Sequence, residues 1–212
     1  MSWADIATVS EAGKASEYFA VGDEKELTIG SETYHVQILG FDHDEKSDGT
    51  GKAGITVGLK EIMTTGHVMN SNGTNIGGWE TSKMRTYLQD DILPTLPSDL
   101  QAVIKTVDKK SDVGNMDTTT LKTTEDKLFL FSPEEVGFNL ISYYVQGQGT
   151  KYDYFTDNTS RIKKYLNNNS GYWWLRSACT YDTYGFYFVS SVGSKISHDA
   201  HNTYGVVFGF SI

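Results

Sequence analysis

Apolar residues recur at spacings of three and four through residues 2–19 (Trp3, Ile6, Val9, Ala12, Ala15, Phe19), which predicts a short amphipathic helical region broken at Gly13. After a turn at Val21-Gly22-Asp23 the period changes to two. Residues 26–29 and 34–41 alternate about Gly30-Ser31 and predict a hairpin. Residues 42–54 form a polar loop rich in Asp and Gly, expected as a solvated acidic turn, and residues 55–59 a further strand. Residues 66–79 have no period and read as a Gly- and Asn-rich loop ending at Trp79. Thr81 or Ser82 can cap a helix with Met84, Tyr87, Leu88 and Ile92 on one face, which Pro94 and Pro97 end. A second short helix carries Leu100, Val103 and Ile104. Residues 104–110 read as extended, 111–124 as a Thr-, Asp- and Lys-rich loop, and 128–131 as a buried strand. Ser132-Pro133-Glu134-Glu135 has the form of a capping box with proline at the first helical position. A Tyr- and Gly-rich excursion over 143–160 leads to a short strand at 162–166 and a turn at 167–171.

Two apolar rails close the chain. Tyr172-Trp173-Trp174-Leu175-Arg176-Ser177 is the first, and Tyr204-Gly205-Val206-Val207-Phe208-Gly209-Phe210-Ser211-Ile212 the second. Arg176 among such side chains requires a carboxylate or carbonyl partner, because an unpaired buried charge is very costly. The glycines of the second rail predict a strand pressed against another backbone. Between the rails lies a polar, aromatic insert. From Ser177 to Ile212 the set Lys, Glu, Gln, Met and Trp occurs once, as Lys195, whereas Tyr, Ser, Asn, Asp, His and Gly dominate. Tyrosine supplies large amphipathic contact area at low entropic cost, and small polar residues supply adaptable hydrogen bonds, so this is the composition of a binding surface.

A chain of 212 residues is long enough for one core, and no composition shift divides it, so residues 1–212 are expected as a single domain. Abundant glycine against three prolines, with 13% aromatics, predicts a loop-rich α+β protein. The net charge of −9 speaks against a nucleic-acid backbone or an anionic membrane as partner. Cys179 is the single cysteine, so no intrachain disulfide and no cysteine-type zinc site can form. The N-terminus has neither basic region nor apolar segment of a signal peptide, and no stretch suits membrane insertion, so synthesis in the cytoplasm is expected.

Candidate chemistry is sparse. The acidic loop from Asp42 has Lys46 and Ser47 where a helix-loop-helix calcium loop needs an oxygen ligand and glycine. His198, Asp199 and His201 lack a third metal ligand at known spacing and read as contact surface. Cys179 reads as an inert or contact thiol, and residues 51–58 lack the Lys-Ser/Thr pair of a phosphate loop. No cofactor and no metal is expected.

Several blocks carry a family resemblance: Tyr18-Phe19-Ala20-Val21-Gly22-Asp23, Ile38-Leu39-Gly40-Phe41-Asp42-His43-Asp44, Gly51-Lys52-Ala53-Gly54-Ile55-Thr56, Gly77-Gly78-Trp79 with Met84-Arg85, Leu96-Pro97-Ser98-Asp99-Leu100, Asp126-Lys127-Leu128-Phe129-Leu130-Phe131-Ser132, Trp173-Trp174-Leu175-Arg176-Ser177, and Gly205-Val206 before Phe208-Gly209-Phe210. With them the chain resembles a bacterial and bacteriophage family of unassigned function, the DUF6273 type. One departure is Ala178, where members usually carry proline. The resemblance implies a C-type lectin-like fold: small twisted antiparallel sheets, two or more flanking helices and long loops. It is similar to the variable proteins of diversity-generating retroelements and to phage receptor-binding proteins. It implies a helical region at 1–20, and an anchor, variable insert and closing strand over 171–212. The expectation is a non-enzymatic recognition protein of a phage or prophage that binds a cell-surface protein or glycan through Tyr181, Asp182, Tyr184, Tyr187, Ser190, His198, Asp199, His201, Asn202 and Tyr204. A virion (tail) or cell-surface location, and a homo-oligomer such as a trimer or attachment to a tail, belong to that expectation. The alternative is a glycan- or cell-wall-acting hydrolase using Asp and His of the insert.

Overall fold

Ser2 opens α1 (Trp3–Glu11): its Oγ accepts the Asp5 N–H at 3.1 Å while the Asp5 carboxylate accepts the Ser2 N–H at 3.0 Å. The helix buries Trp3, Ile6 and Ala7, stops at Gly13 in the left-handed region (φ +67°), and resumes for one turn in α2 (Ala15–Tyr18). The computed structural model describes residues 1–139 and 143–212. The predicted hairpin follows as β1 (Glu24–Ile29) and β2 (Glu32–Phe41), then β3 (Ile55–Leu59) and β4 (Glu61–Ile62). Ser82, not Thr81, caps α3 (Lys83–Thr86), which widens into a π-helical turn over Tyr87–Ile92 and tightens into a 3-10 turn over Leu93–Thr95 before α4 (Ser98–Gln101). The remaining elements are β5 (Val107–Asp112), β6 (Leu121–Asp126), β7 (Phe129–Leu130), α5 (Asn158–Arg161), β8 (Lys164–Tyr165), β9 (Trp173–Ala178), β10 (Gly185–Val189), β11 (Lys195–Asp199) and β12 (Phe208–Ser211).

These elements make a mixed α+β protein of mostly small antiparallel sheets with few, short helices. The largest sheet has the order β1-β2-β3-β12-β7, so the chain's last strand lies in its interior. Gly209 of β12 faces Gly58 of β3, and a Cβ at either would stand 2.7–2.8 Å from the Phe131 ring. The alternating glycines of the second rail are therefore a packing requirement. A three-stranded sheet, β11-β10-β9, carries the first rail and the insert.

Three expectations need correction. Residues 111–112 and 121–124, placed in a loop, instead belong to β5 and β6, which pair in full register from Val107↔Asp126 to Asp112↔Leu121. The capping box at Ser132 forms its hydrogen bonds, Ser132 N–H to Glu135 Oε2 and Glu135 N–H to Ser132 Oγ, yet residues 133–137 form a turn and not a helix. Gly137 ends the turn at φ +77°, and the Glu135 carboxylate is drawn into the core.

That carboxylate belongs to a buried chain of alternating charge. Arg176, Glu135, Lys109 and Asp44 are 0%, 2%, 1% and 5% exposed, so solvent does not screen them. Arg176 grips Glu135 with both terminal nitrogens (Nη2 to Oε1 3.0 Å) and donates to the carbonyls of Lys110, Leu130 and Gln148. Lys109 Nζ lies 2.8 Å from Glu135 and 2.6 Å from Asp44, and donates to the Tyr152 hydroxyl at 3.0 Å. Two cations and two anions cancel, which is the condition for burying them. Burial alone would raise the Asp44 and Glu135 carboxyls. The adjoining cations outweigh it and hold both below their ordinary values. The expected solvated turn at 42–48 is thus wrong for Asp44, which faces inward and also accepts from Thr56 and Tyr152. Arg176 has the carboxylate and carbonyl partners that its surroundings required.

Candidate functional site

The insert hangs on side chains from distant loops. Asn75 is fully buried, and its Nδ2 lies 3.1 Å from each of the carbonyls of Cys179, Asp182 and Gly185. Its Oδ1 accepts the Asn115 N–H, and its own N–H donates to the Thr183 carbonyl. Three loops therefore meet at one amide. Gly114 makes room for it: φ is +63° there, and a Cβ would lie 1.9 Å from the Asn75 carbonyl oxygen. On the other side Asp112 accepts the N–H groups of Gly114 and Ala178 and the Gln148 side-chain amide, and Gln148 accepts the Ser177 hydroxyl. The Ala178 N–H in this set is one that proline would lack. Burial pushes the Asp112 carboxyl up to about 6, against the pull of its hydrogen bonds.

The ten candidate residues do not share one face. Asp182 is buried, its Oδ1 accepting the Tyr184 and Gly185 N–H groups, so it shapes a turn. Tyr187 is 4% exposed; its hydroxyl donates to the Tyr143 carbonyl at 2.6 Å and Lys195 Nζ stands over its ring. Ser190 is buried and its Oγ accepts the Ser194 N–H. Tyr187 and Ser190 spend their polar atoms on backbone and serve the fold; Asp182 does so through Oδ1, while its Oδ2 is buried without a hydrogen-bond partner. Strand β10 is buried on both faces. Tyr187 pairs with Ser197, whereas Phe186 and Phe188 pair with His198 and Ile196 and point to the opposite side. There Tyr204 is half-buried against Phe188 and Trp174, at ring separations of 4.7 and 4.8 Å. His198 is exposed on edge strand β11, and its Nδ1 accepts the Asp199 N–H and faces the Asn202 side chain. Asp199 and Asn202 are half-buried.

What remains outward gathers at one end of the three-stranded sheet. Tyr181 and Tyr184 are 50% and 46% exposed on the loop between β9 and β10, and His201 is exposed on the turn after β11. The two loops are joined by the Ala200 N–H to the Tyr184 carbonyl, and His201 lies against Gly73 of the loop that bears Asn75. Sequence reasoning missed the rest of this end. Ile76, Met116 and Tyr143 are 52%, 54% and 61% exposed. Ile76 and Met116 neighbour Asn75 and Asn115, and Tyr143 packs edge-on against Tyr181 at 5.4 Å. No local signal separates these positions from ordinary loop residues; Asn75 lay in a stretch legible only as loop.

Cys179 is buried beside the Tyr187 hydroxyl, and burial pushes its thiol up, away from thiolate chemistry. Among the described residues no three His, Cys, Asp or Glu side chains are grouped to hold a metal ion, and no helix is long and apolar enough to cross a membrane.

Fold and site together define a mixed α+β protein in which an ion-paired frame holds up an aromatic end built of several loops. The chain belongs to the DUF6273 family, a domain of unknown function whose model matches residues 54–212. The resembling blocks at residues 18–23 and 38–44 precede that range. No curated protein and no solved structure matches the chain.

Proposed function

We propose that this protein is a non-enzymatic recognition module with a C-type lectin-like fold, acting as a phage or prophage receptor-binding or adhesion protein. The loop end of the β9–β11 sheet binds a protein or glycan on a cell surface. One observation carries the reading: Ile76, Met116, Tyr143, Tyr181 and Tyr184 are all large, apolar or aromatic and about half exposed, on loops bonded to one another. A fold that ties down loops so tightly and leaves such side chains in water has a surface preorganised for contact. The fold reading draws on the closing strand inside the main sheet and on the small second sheet that projects these loops. Display as a trimer or on a phage tail belongs to the same reading. Of the Asp and His side chains of the hydrolase alternative, Asp182 Oδ1 accepts the Gly185 N–H and His198 Nδ1 the Asp199 N–H, so turnover is not proposed.

The test is a Tyr143→Ala/Tyr181→Ala/Tyr184→Ala variant, with labelled protein titrated on a panel of intact bacterial cells. Aromatic anchors of an interface are worth about 2 kcal/mol or more each, so affinity is expected to fall at least about thirtyfold while the melt barely moves. Unchanged cell binding, or no binding by the parent protein to any cell, refutes the proposal.

A further inference from the structure

Two lysines are buried, and their surroundings differ in kind. Lys109 is saturated by two carboxylates and a phenol. Lys163, between α5 and β8, is 3% exposed, and its Nζ has only two neutral acceptors, the Leu59 carbonyl at 2.8 Å and Gln37 Oε1 at 3.2 Å. The Tyr154 ring lies 5.3 Å away. Every charged group around it is engaged elsewhere. Glu24 holds Lys60 at 2.7 Å and the Gln37 amide at 3.0 Å. Glu61 accepts the His35 N–H at 2.8 Å and pairs with its ring at 3.1 Å. Lys164 donates to Asn168. Lys163 thus has no counter-ion in bonding distance, and it lines a cleft of about 430 Å³ with His35, Gln37, Lys60, Glu61 and Tyr154.

We propose that this cleft is a covalent binding site for a small ligand bearing an aldehyde or ketone, held as an imine on Lys163 Nζ. An ammonium group buried without a counter-ion is pressed to give up its proton, and a free amine is a nucleophile. Burial pushes Lys163 down to about 7; Glu61 and Glu24 oppose this, and Lys60 adds to it. The Nζ lone pair attacks the carbonyl carbon, and the carbonyl oxygen takes a proton to give a carbinolamine. The C–O bond then breaks as the N=C bond forms, the remaining amine proton departs, and water leaves. One carbonyl and one amine become one imine and one water, with no redox partner. His35 and Glu61, groups able to carry a proton, line the same cleft. The site lies apart from the loop end and stands without the recognition reading.

Limiting glycolaldehyde with sodium cyanoborohydride, applied to the native protein and followed by peptide mass mapping, tests this. At pH 7 about half of the Lys163 amine is free, against roughly one part in 2,500 for an ordinary lysine near 10.4. The imine on Lys163 should be reduced to the hydroxyethyl adduct before that on any exposed lysine, the free-amine fraction alone favouring it about a thousandfold. Its rate should level off above pH 7 while the others keep rising. Lys163→Arg should erase the adduct on that peptide alone, and the triple tyrosine variant should retain it. Labelling of Lys163 no earlier than exposed lysines, or a rate still climbing above pH 8, overturns the proposal; the native map decides this even should the arginine variant fail to fold.

Discussion

Replacing Arg176 by methionine keeps much of the side chain's volume but deletes the charge and every donor. Glu135 would then keep Lys109 and the Ser132 N–H, and the buried set would carry a net charge of −1. Breaking a buried ion pair from one side costs about 3–5 kcal/mol. Three carbonyls, of Lys110, Leu130 and Gln148, each lose a donor. At about 1 kcal/mol apiece these bring the total to ~6–8 kcal/mol. That approaches the whole stability of an ordinary domain, about 5–15 kcal/mol. The more discriminating measurement is a double-mutant cycle by urea denaturation. Adding Glu135→Gln to Arg176→Met restores neutrality, since Asp44 and Lys109 remain as a pair, and the new amide can donate to a freed carbonyl. The double variant should therefore regain at least ~2 kcal/mol over Arg176→Met, a coupling typical of residues sharing one network. A double variant as unstable as the sum of its singles would show that charge balance is not what holds the frame. An Arg176→Met protein within about 1 kcal/mol of the parent would refute the reasoning at its root.

The other expectations are narrower. Asn75→Ala removes the donor shared by three carbonyls of the insert and should cost ~2–4 kcal/mol. Hydrogen exchange of the amides at 180–185 should accelerate more than that of β2 or β3, and uniform acceleration would count against a local role. Asp112 has a folded-state value near 6, above its ordinary 3.8, so its proton is held more tightly in the folded protein. The stability this confers is complete below about pH 3.8 and is lost as pH rises through 6, by ~3 kcal/mol in all. Asp44 and Glu135, whose values are lowered, act in the opposite direction, losing their contribution as pH falls. The Asp112 effect is accordingly read as the difference between parent and Asp112→Asn in urea melts from pH 4 to 7. Equal slopes in the two proteins would exclude it.

Local chemistry made much of this protein legible before any coordinates. Gly13 breaks the first helix because of its own backbone freedom, and residues 26–29 alternate because one face of their strand meets the core. Arg176, two residues after a tryptophan pair, had to be paired, whatever paired it. Cys179 had no second cysteine to work with, and burial then keeps its thiol protonated. Position in space was another matter. Asp44 looks like any acid of a polar turn, and only Lys109, 65 residues away, turns it inward. Residues 121–126 have the composition of a loop because one side of β6 faces water; the pairing with β5 makes them a strand. The box at Ser132 is a helix start by local rules, but Glu135 contributes to two ion pairs and Gly137 turns the chain away.

For the working surface the same division holds. Residue types alone marked the segment between the rails as rich in contact-making side chains, since a side chain's size, polarity and flexibility are its own. Which of those side chains meet solvent was settled by tertiary packing, which covers Tyr187 with Lys195 and the Tyr143 carbonyl, and by an amide 107 positions upstream, Asn75, which binds the insert to loops bearing Ile76 and Met116. Composition is a property of each residue, whereas exposure is a property of the pairings between distant ones. Those pairings arise only when the whole chain closes on its last strand.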